Sequence, residues 1–298
     1  MLKAAVRVGP AGWVYKEWAG VVYPKKKPRG FQELQYLAEY FDTVEINSSF
    51  YGPSPPAHCK QWLEQIAANP RFLFTAKLWD KFTHAFDASP ENERAVRAGF
   101  DVLHERGKLG AVLIQFPFSF HRGPENVAYL KRLLKRFADY PLVVEVRHAT
   151  WNDPSFYALL AEREVGFCNI DQPIIGRSLE PSQETTGPIG YVRLHGRRYD
   201  TWFSDDPVAN EERYDYLYSK EELEPWAKRT AEIMKEARNV HVVTNNCDMG
   251  KSVVNALELM NLLTGLKVSV PDTLRHRYPR LDKIASEPPK APLLFPTA

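Results

Sequence analysis

The sequence predicts an α/β fold, a single TIM (β/α)8-type barrel, from three observations. Eight short, mostly β-branched runs recur along the 298 residues. Segments with helical spacing separate most of them, as repeated βα units require. Each run ends on polar or charged side chains, and the C-terminal strand ends of such a barrel are where an active site forms.

The runs and their connections follow in order. Val6-Arg7-Val8-Gly9 leads into Trp13, Tyr15 and Trp18 and then a helix over residues 31–40. Thr43-Val44-Glu45-Ile46-Asn47 precedes a helix over 56–68. After the third run, 72–77, Ser89-Pro90-Glu91 supplies an N-cap, a first-turn proline and an acid at the positive end of the helix dipole, opening a helix to about His104. The fourth run, 111–115, is followed by a helix over 124–137, and the fifth, 142–147, by one over 153–164. The sixth, 166–171, leads into residues 172–188, rich in Pro, Gly, Ser and Thr. That composition predicts a loop over the barrel mouth, with the sixth helix short or missing. The seventh, 190–195, precedes a long excursion, 197–220, carrying Tyr199, Trp202, Phe203, Tyr214, Tyr216 and Tyr218, and then a helix over 221–237. Long loops at this end of a barrel shape its pocket. The eighth, 240–245, is followed by a helix over 251–263. Residues 1–270 form the barrel domain in this reading. Pro271, Pro279, Pro288, Pro289, Pro292 and Pro296 predict an extended or partly disordered tail over 271–298.

Composition narrows the function classes. With 44% hydrophobic residues the chain can fill a large core, and no unbroken apolar stretch is long enough to span a membrane. The start, Met1-Leu2-Lys3-Ala4-Ala5-Val6-Arg7, lacks the apolar segment of a secretory signal. Cys59, Cys168 and Cys247 are odd in number and widely spaced, which suggests a reducing compartment; the expected location is cytoplasmic. A net charge of +2 gives no general nucleic-acid-binding field. The basic runs Lys25-Lys26-Lys27 and Lys131-Arg132-Leu133-Leu134-Lys135-Arg136 read as a solvated loop and a solvated helix face.

Strand side chains alternate faces, so residues two apart point the same way. In Val44-Glu45-Ile46-Asn47 the apolar pair suits the helix side, which turns Glu45 and Asn47 inward. The same parity turns Thr75 with Lys77, Glu145 with Arg147, Asn169 with Asp171, and Arg193 with His195 inward. Parallel strands buried on both faces normally read as continuous apolar runs, so the alternation calls for an explanation. A buried ion network that merely closes the barrel is one, but burying several charges costs several kcal/mol per ion before pairing. A functional cluster is the other, with pairs such as Glu145 and Arg193 supporting the ligand-contacting groups. Aromatics at the same ends, including Trp13, Tyr15, Phe50, Tyr51, Trp79, Phe116, Phe118 and Trp151, either seat loops or offer flat faces to a ligand.

Six ordered motifs between about residues 6 and 264 point further: Gly12-Trp13-Val14-Tyr15-Lys16-Glu17-Trp18, Glu45-Ile46-Asn47-Ser48-Ser49-Phe50-Tyr51, Gln115-Phe116-Pro117, Glu145-Val146-Arg147-His148, Tyr191-Val192-Arg193-Leu194-His195-Gly196, and Asn245-Asn246 followed by Asn255-Ala256. Together they resemble the domain of unknown function 72 family, the YecE-like proteins. The resemblance implies a TIM barrel and supplies no activity. Where the family has Gly-Thr-Ser-Gly-Trp, this chain has Gly9-Pro10-Ala11-Gly12-Trp13, so two hydroxyls are lost beside the pocket and proline removes a backbone donor.

Three chemistries compete. The first is an enzyme acting on an anionic, phosphate-bearing substrate, with phosphodiester or nucleic-acid hydrolysis its sharpest form. Lys77, Arg147 and Arg193 bind the anion, while Glu45, Glu145, Asp171 and His195 activate water or hold a divalent metal. No His-x-His or His-Glu-x-x-His spacing identifies that metal, and no nucleotide-cofactor motif is present. The second is a metal-free glycosidase using Glu45 and Glu145 from opposite sides of the barrel. Adjacent cations oppose it by lowering the pKa of its acid. The third is a non-catalytic domain that captures a small anion or a nucleic-acid end. Lys77 as a Schiff-base lysine is a lesser option. The expected substrate-binding set is Trp13, Tyr15, Asn47, Tyr51, Lys77, His84, Gln115, Arg147, His148, Arg193, Asn245 and Asn246.

Overall fold

The computed structural model of the protein describes residues 4–203 and 212–286. Eight strands lie on the eight runs: β1 (Ala5–Pro10), β2 (Thr43–Ile46), β3 (Leu73–Lys77), β4 (Leu109–Gln115), β5 (Leu142–Glu145), β6 (Gly166–Asp171), β7 (Ile189–Leu194) and β8 (Asn239–Thr244). All pairings are parallel, in the order β1-β8-β7-β6-β5-β4-β3-β2. The ring closes between β1 and β2 through a bridge of Ala11 with Glu45, where the Gly12 N–H donates to the Glu45 carbonyl at 2.9 Å. Closure presses two backbones together at Gly9, where a Cβ would lie 2.0 Å from the Thr43 carbonyl oxygen. Any larger residue would pry the seam open.

Helices α1 (Glu33–Leu37), α2 (Pro56–Gln65), α3 (Asp80–Thr83), α4 (Pro90–Glu105), α5 (Pro124–Arg136), α6 (Pro154–Ala161), α7 (Lys220–Glu236) and α8 (Lys251–Thr264) fill the connections. Their starts follow local chemistry. The Ser89 side chain accepts from the Asn92 N–H ahead of α4, Asp153 from the Ser155 N–H ahead of α6, and Ser219 with Glu222 forms a capping box at α7. The outward strand residues Val44, Ile46, Phe74, Ala76, Val112, Ile114, Val144, Val192, Leu194, Val240 and Val242 are buried against this helical layer. At roughly 1.5–3 kcal/mol for each large apolar side chain, that layer is what holds the ring together.

No helix follows β6. The start of the 172–188 loop meets the mouth, where Leu179 N–H donates to the Arg147 carbonyl at 2.7 Å. The loop does not stay over the mouth as expected: its second half descends the outside of β6, where Glu184 N–H donates to Asn169 Oδ1 and Thr186 Oγ1 to the Val165 carbonyl. The described part of the tail lies on the outside of the barrel and is helical. Residues 272–277 form helix α9 and 279–283 a 3-10 turn, each with a proline at its start, Pro271 and Pro279. Leu274 and Leu281 are fully buried, and Thr273 Oγ1 donates to the Val22 carbonyl at 2.9 Å. Those apolar anchors hold the segment on the barrel wall. Pro288, Pro289, Pro292 and Pro296 lie outside the described residues. No helix among the described residues is long and apolar enough to cross a membrane.

Candidate functional site

The barrel interior is polar from floor to mouth. At the floor, Thr43 Oγ1 lies 3.3 Å from His241 Nδ1. Gly110 makes room for that ring, since a Cβ there would approach it to 2.8 Å. Burial, with Arg7 nearby, pushes the His241 pKa down to about 3.

Above the floor, the Arg193 guanidinium from β7 ties both carboxylates together. Its Nη2 donates to Glu45 Oε1 at 2.8 Å, and its Nη1 to Glu145 Oε2 at 2.6 Å and Gln115 Oε1 at 3.2 Å. Arg147 donates from Nε and Nη2 to Glu145 Oε1 at 3.1 and 3.0 Å. The Tyr191 hydroxyl donates to Glu45 Oε2 at 3.0 Å and meets Thr75 Oγ1 at 2.8 Å. Asn245 Nδ2 lies 3.1 Å from His195 Nδ1, and His195 Nε2 lies 3.4 Å from Glu145 Oε1. Donation from Asn245 to Nδ1 leaves the ring proton on Nε2, directed at the carboxylate.

Burial, joined by Arg193 and Arg147, pushes the His195 pKa down to about 3, so the ring is neutral at physiological pH. Burial alone would raise the Glu145 pKa, but Arg193, His195 and Arg147 overcome it and hold the carboxyl well below its usual range. Its oxygens already accept from two guanidinium groups and face the imidazole, leaving almost none of a carboxylate's four acceptor positions free. Three cations, Lys77, Arg147 and Arg193, therefore oppose two carboxylates, one positive charge in excess.

Lys77 carries that excess. Its Nζ sits 3.9 Å from Glu45 Oε1 and 5.1 Å from the centre of the Phe50 ring, and it donates no hydrogen bond to any group among the described residues. Burial and then Arg193 push its pKa down to about 8, against the pull of Glu45 and Glu145. Glu45, Glu145, Arg193 and His195 are sealed at 0% exposure, whereas Lys77 keeps 7% and the Arg147 side chain 12%. Lys77 and Arg147 are thus the cluster's charged groups that keep some exposure; Gln115 and Asn245 adjoin it through Arg193 and His195, and Asn47 pairs with Tyr15. Asn47 Oδ1 is buried and accepts from no described group, while Asn47 Nδ2 reaches the Tyr15 hydroxyl at 3.5 Å. Trp202 closes one side, its ring 5.5 Å from the Arg147 guanidinium carbon.

Several expected site residues lie elsewhere. Asn169 and Asp171 face outward, because Cys168 and Ile170 pair with the inward-facing Tyr191 and Arg193. The missing sixth helix explains this: the descending loop offers Asn169 the Ser182 hydroxyl and the Glu184 backbone, and Asp171 accepts from Arg197 and Tyr218. The set Glu45, Glu145, Asp171 and His195 consequently does not converge, and no group of three or more His, Cys, Asp or Glu among the described residues is arranged to hold a metal ion. Trp13 packs edge-on to Trp62 of α2 at 5.2 Å. His148 stacks on His121 at 4.0 Å with its Nδ1 on Thr150. Asn246 points outward and donates to the Tyr216 carbonyl and Asn255 Oδ1. Tyr51 and His84 sit exposed on the rim, each edge-on to Phe50.

Tyr191, Cys168, Trp202 and Phe50 belong to the cluster and were absent from the expected set. Tyr191 was legible by parity, two residues before Arg193; Trp202 was one of several aromatics in the 197–220 excursion with nothing to single it out.

The family model for the protein of unknown function DUF72 matches residues 7–277. The UPF0759 protein YunF of Bacillus subtilis is 30% identical over 272 residues, covering 87% of this chain and 94% of that protein. The UPF0759 protein YecE of Escherichia coli K12 is 24% identical over 199 residues, 64% of this chain and 62% of YecE. Among solved structures, a DUF72 family protein from Thermotoga maritima superposes with a TM-score of 0.74 at 31% identity, over 87% of this chain and 99% of that one. A second, from Enterococcus faecalis, gives 0.76 at 25% identity, over 89% and 97%.

Proposed function

The chain belongs to the DUF72 family, proteins of unknown function built on this barrel, and from that premise we propose that it is an enzyme whose mouth receives a small anionic substrate, held by Arg147 and Lys77. One observation carries the reading: a nearly buried ammonium with no hydrogen-bond acceptor among the described residues, beside a guanidinium that reaches the surface. An anion entering there would neutralise the excess charge and accept from both groups. The orphaned Asn47 Oδ1 adds a preference for a substrate carrying a hydroxyl donor near its anionic end.

The same geometry ranks the other chemistries lower. Metal-assisted hydrolysis of a phosphodiester needs free carboxylate lone pairs, and those of Glu145 are taken. A glycosidase needs two carboxyl groups that can touch the sugar, and Glu45 and Glu145 are both sealed and bound to Arg193. A phosphate or carboxylate on the substrate remains well matched to the mouth.

Calorimetric titration with inorganic phosphate tests this. Saturable binding is expected, weakened about 10-fold or more in Arg147→Met and in Lys77→Met, since each loses a charge-assisted contact. Equal binding by all three proteins would remove the reading.

A further inference from the structure

Lys77 is placed to react as well as to bind, an inference that rests on the anionic-substrate reading above. It ends β3 with its Nζ inside the mouth, packed over the Phe50 ring and unheld by any hydrogen bond among the described residues, while Glu45, Glu145, Arg193 and Arg147 are locked to one another. A structural lysine would be drawn into contact with its carboxylate; this one stands 3.9 Å off Glu45 Oε1, which is itself committed to Arg193 at 2.8 Å. An amine beside a fixed guanidinium, in a desolvated site, has the setting of an imine-forming lysine.

We propose that Lys77 is the nucleophile of this site and forms an imine with a carbonyl compound that bears one anionic group, a 2-oxo carboxylate or a phosphorylated ketone or aldehyde. Arg147 anchors the anion, and the carbonyl carbon is presented to Nζ. In the step, the free amine adds to that carbon and the carbonyl π pair moves to oxygen, which takes a proton to give the carbinolamine. The nitrogen lone pair then expels that oxygen as C=N forms; the amine's two protons end on the oxygen, one taken on addition and one on departure, so that carbonyl compound plus amine gives imine plus water. Glu45 Oε1, 3.9 Å away, is the ion-paired carboxylate that takes the ammonium proton, which must leave first. A pKa pushed down to about 8 leaves on the order of a tenth of the amine free at neutral pH, against about a thousandth for an ordinary lysine.

Reductive trapping decides it. The full-length protein is incubated with pyruvate, and separately with dihydroxyacetone phosphate, then treated with sodium borohydride, and the modified peptide is located by mass spectrometry. Hydride reduces the imine carbon to a stable secondary amine, so at least one probe is expected to label Lys77 in at least 10-fold excess over any surface lysine. Lys77→Arg keeps the charge and should abolish the label; excess inorganic phosphate and Arg147→Met should suppress it. Which probe labels distinguishes a carboxylate from a phosphate substrate. No label at Lys77 with either probe, or labelling spread evenly over lysines, overturns the proposal. If phosphate still binds in the calorimeter while no adduct forms, imine chemistry alone has failed. A Lys77 adduct indifferent to phosphate and to Arg147→Met would instead sink the anion reading.

Discussion

Arg193 and Arg197 lie four residues apart, one at the end of β7 facing the barrel axis and the other just beyond it on the outside, and each is paired with carboxylate and tyrosine. Outside, Asp171 is fully buried and Arg197 grips both its oxygens at 2.9 Å, with Tyr218 completing the set. Arg197 also reaches the Glu222 carboxylate at 3.4 Å, whose other oxygen accepts from the Ser219 N–H, so every charged group here has a hydrogen-bonded partner. Inside, the Arg193 cluster has three cations for two carboxylates and an ammonium without a hydrogen bond among the described residues. Both use buried ions, whose desolvation cost must be met by good pairing. The proposed site therefore rests not on burial of charge, which the two regions share, but on incomplete pairing within reach of solvent. On that proposal Asp171, as buried as Glu45, is a scaffold residue.

Arg193→Met should give the largest effect, because it takes from Glu45 its only guanidinium partner and from Glu145 one of its two, with both carboxylates at 0% exposure. A loss of about 3–5 kcal/mol in urea unfolding is expected. Were the loss under about 1 kcal/mol, the inner carboxylates would be finding other partners and the cluster would be softer than its distances imply.

Asp171→Asn comes next and tests the outer network. Replacing the charge weakens the bidentate contact to the partly exposed Arg197, at a cost of about 1.5–3 kcal/mol. Phosphate binding at the mouth should be unchanged. If binding falls along with stability, the two networks communicate across β6 and the separation drawn above is wrong.

How much of this was legible in the sequence follows the same divide. On β2, β3, β5 and β7 the helix layer makes the outer face apolar, so polar residues must turn inward and parity recovers Glu45, Lys77, Glu145 and Arg193. On β6 the α6 rings Phe156 and Tyr157 cover the outer face only at Phe167; beyond it Asn169 is satisfied by the loop and Asp171 by Arg197 and Tyr218, and parity alone assigns both to the wrong side. The information that decides β6 is its pairing register with β7, which is long-range and leaves no local trace. Trp13 and His148 were misplaced for a related reason: they follow strand ends, where the chain turns and alternation no longer applies. The orphaned Lys77 amine could not be read at all, since a lysine two strands from a guanidinium differs from an ion-paired one only in distances.

Lys77→Met should give the smallest stability change of the three, and in the opposite direction. The folded-state pKa of about 8 lies below the usual 10.5, so between those values the unfolded chain holds a proton that the folded chain has shed. Stability of the parent protein from this group therefore rises with pH across that window, and below about pH 8 the folded state bears the full cost of a buried, poorly paired charge. Methionine removes that cost while filling the space of the aliphatic stem. The variant is expected to be more stable at pH 7 by on the order of 1 kcal/mol, with the gain shrinking toward pH 10. Urea unfolding of both proteins at the two pH values measures it, and because other titrating groups are common to both, the difference isolates Lys77. A variant destabilised at pH 7 and insensitive to pH would mean that the ammonium is holding Glu45 in place, which would put Lys77 with Asp171 and Arg197 among the groups that close the barrel.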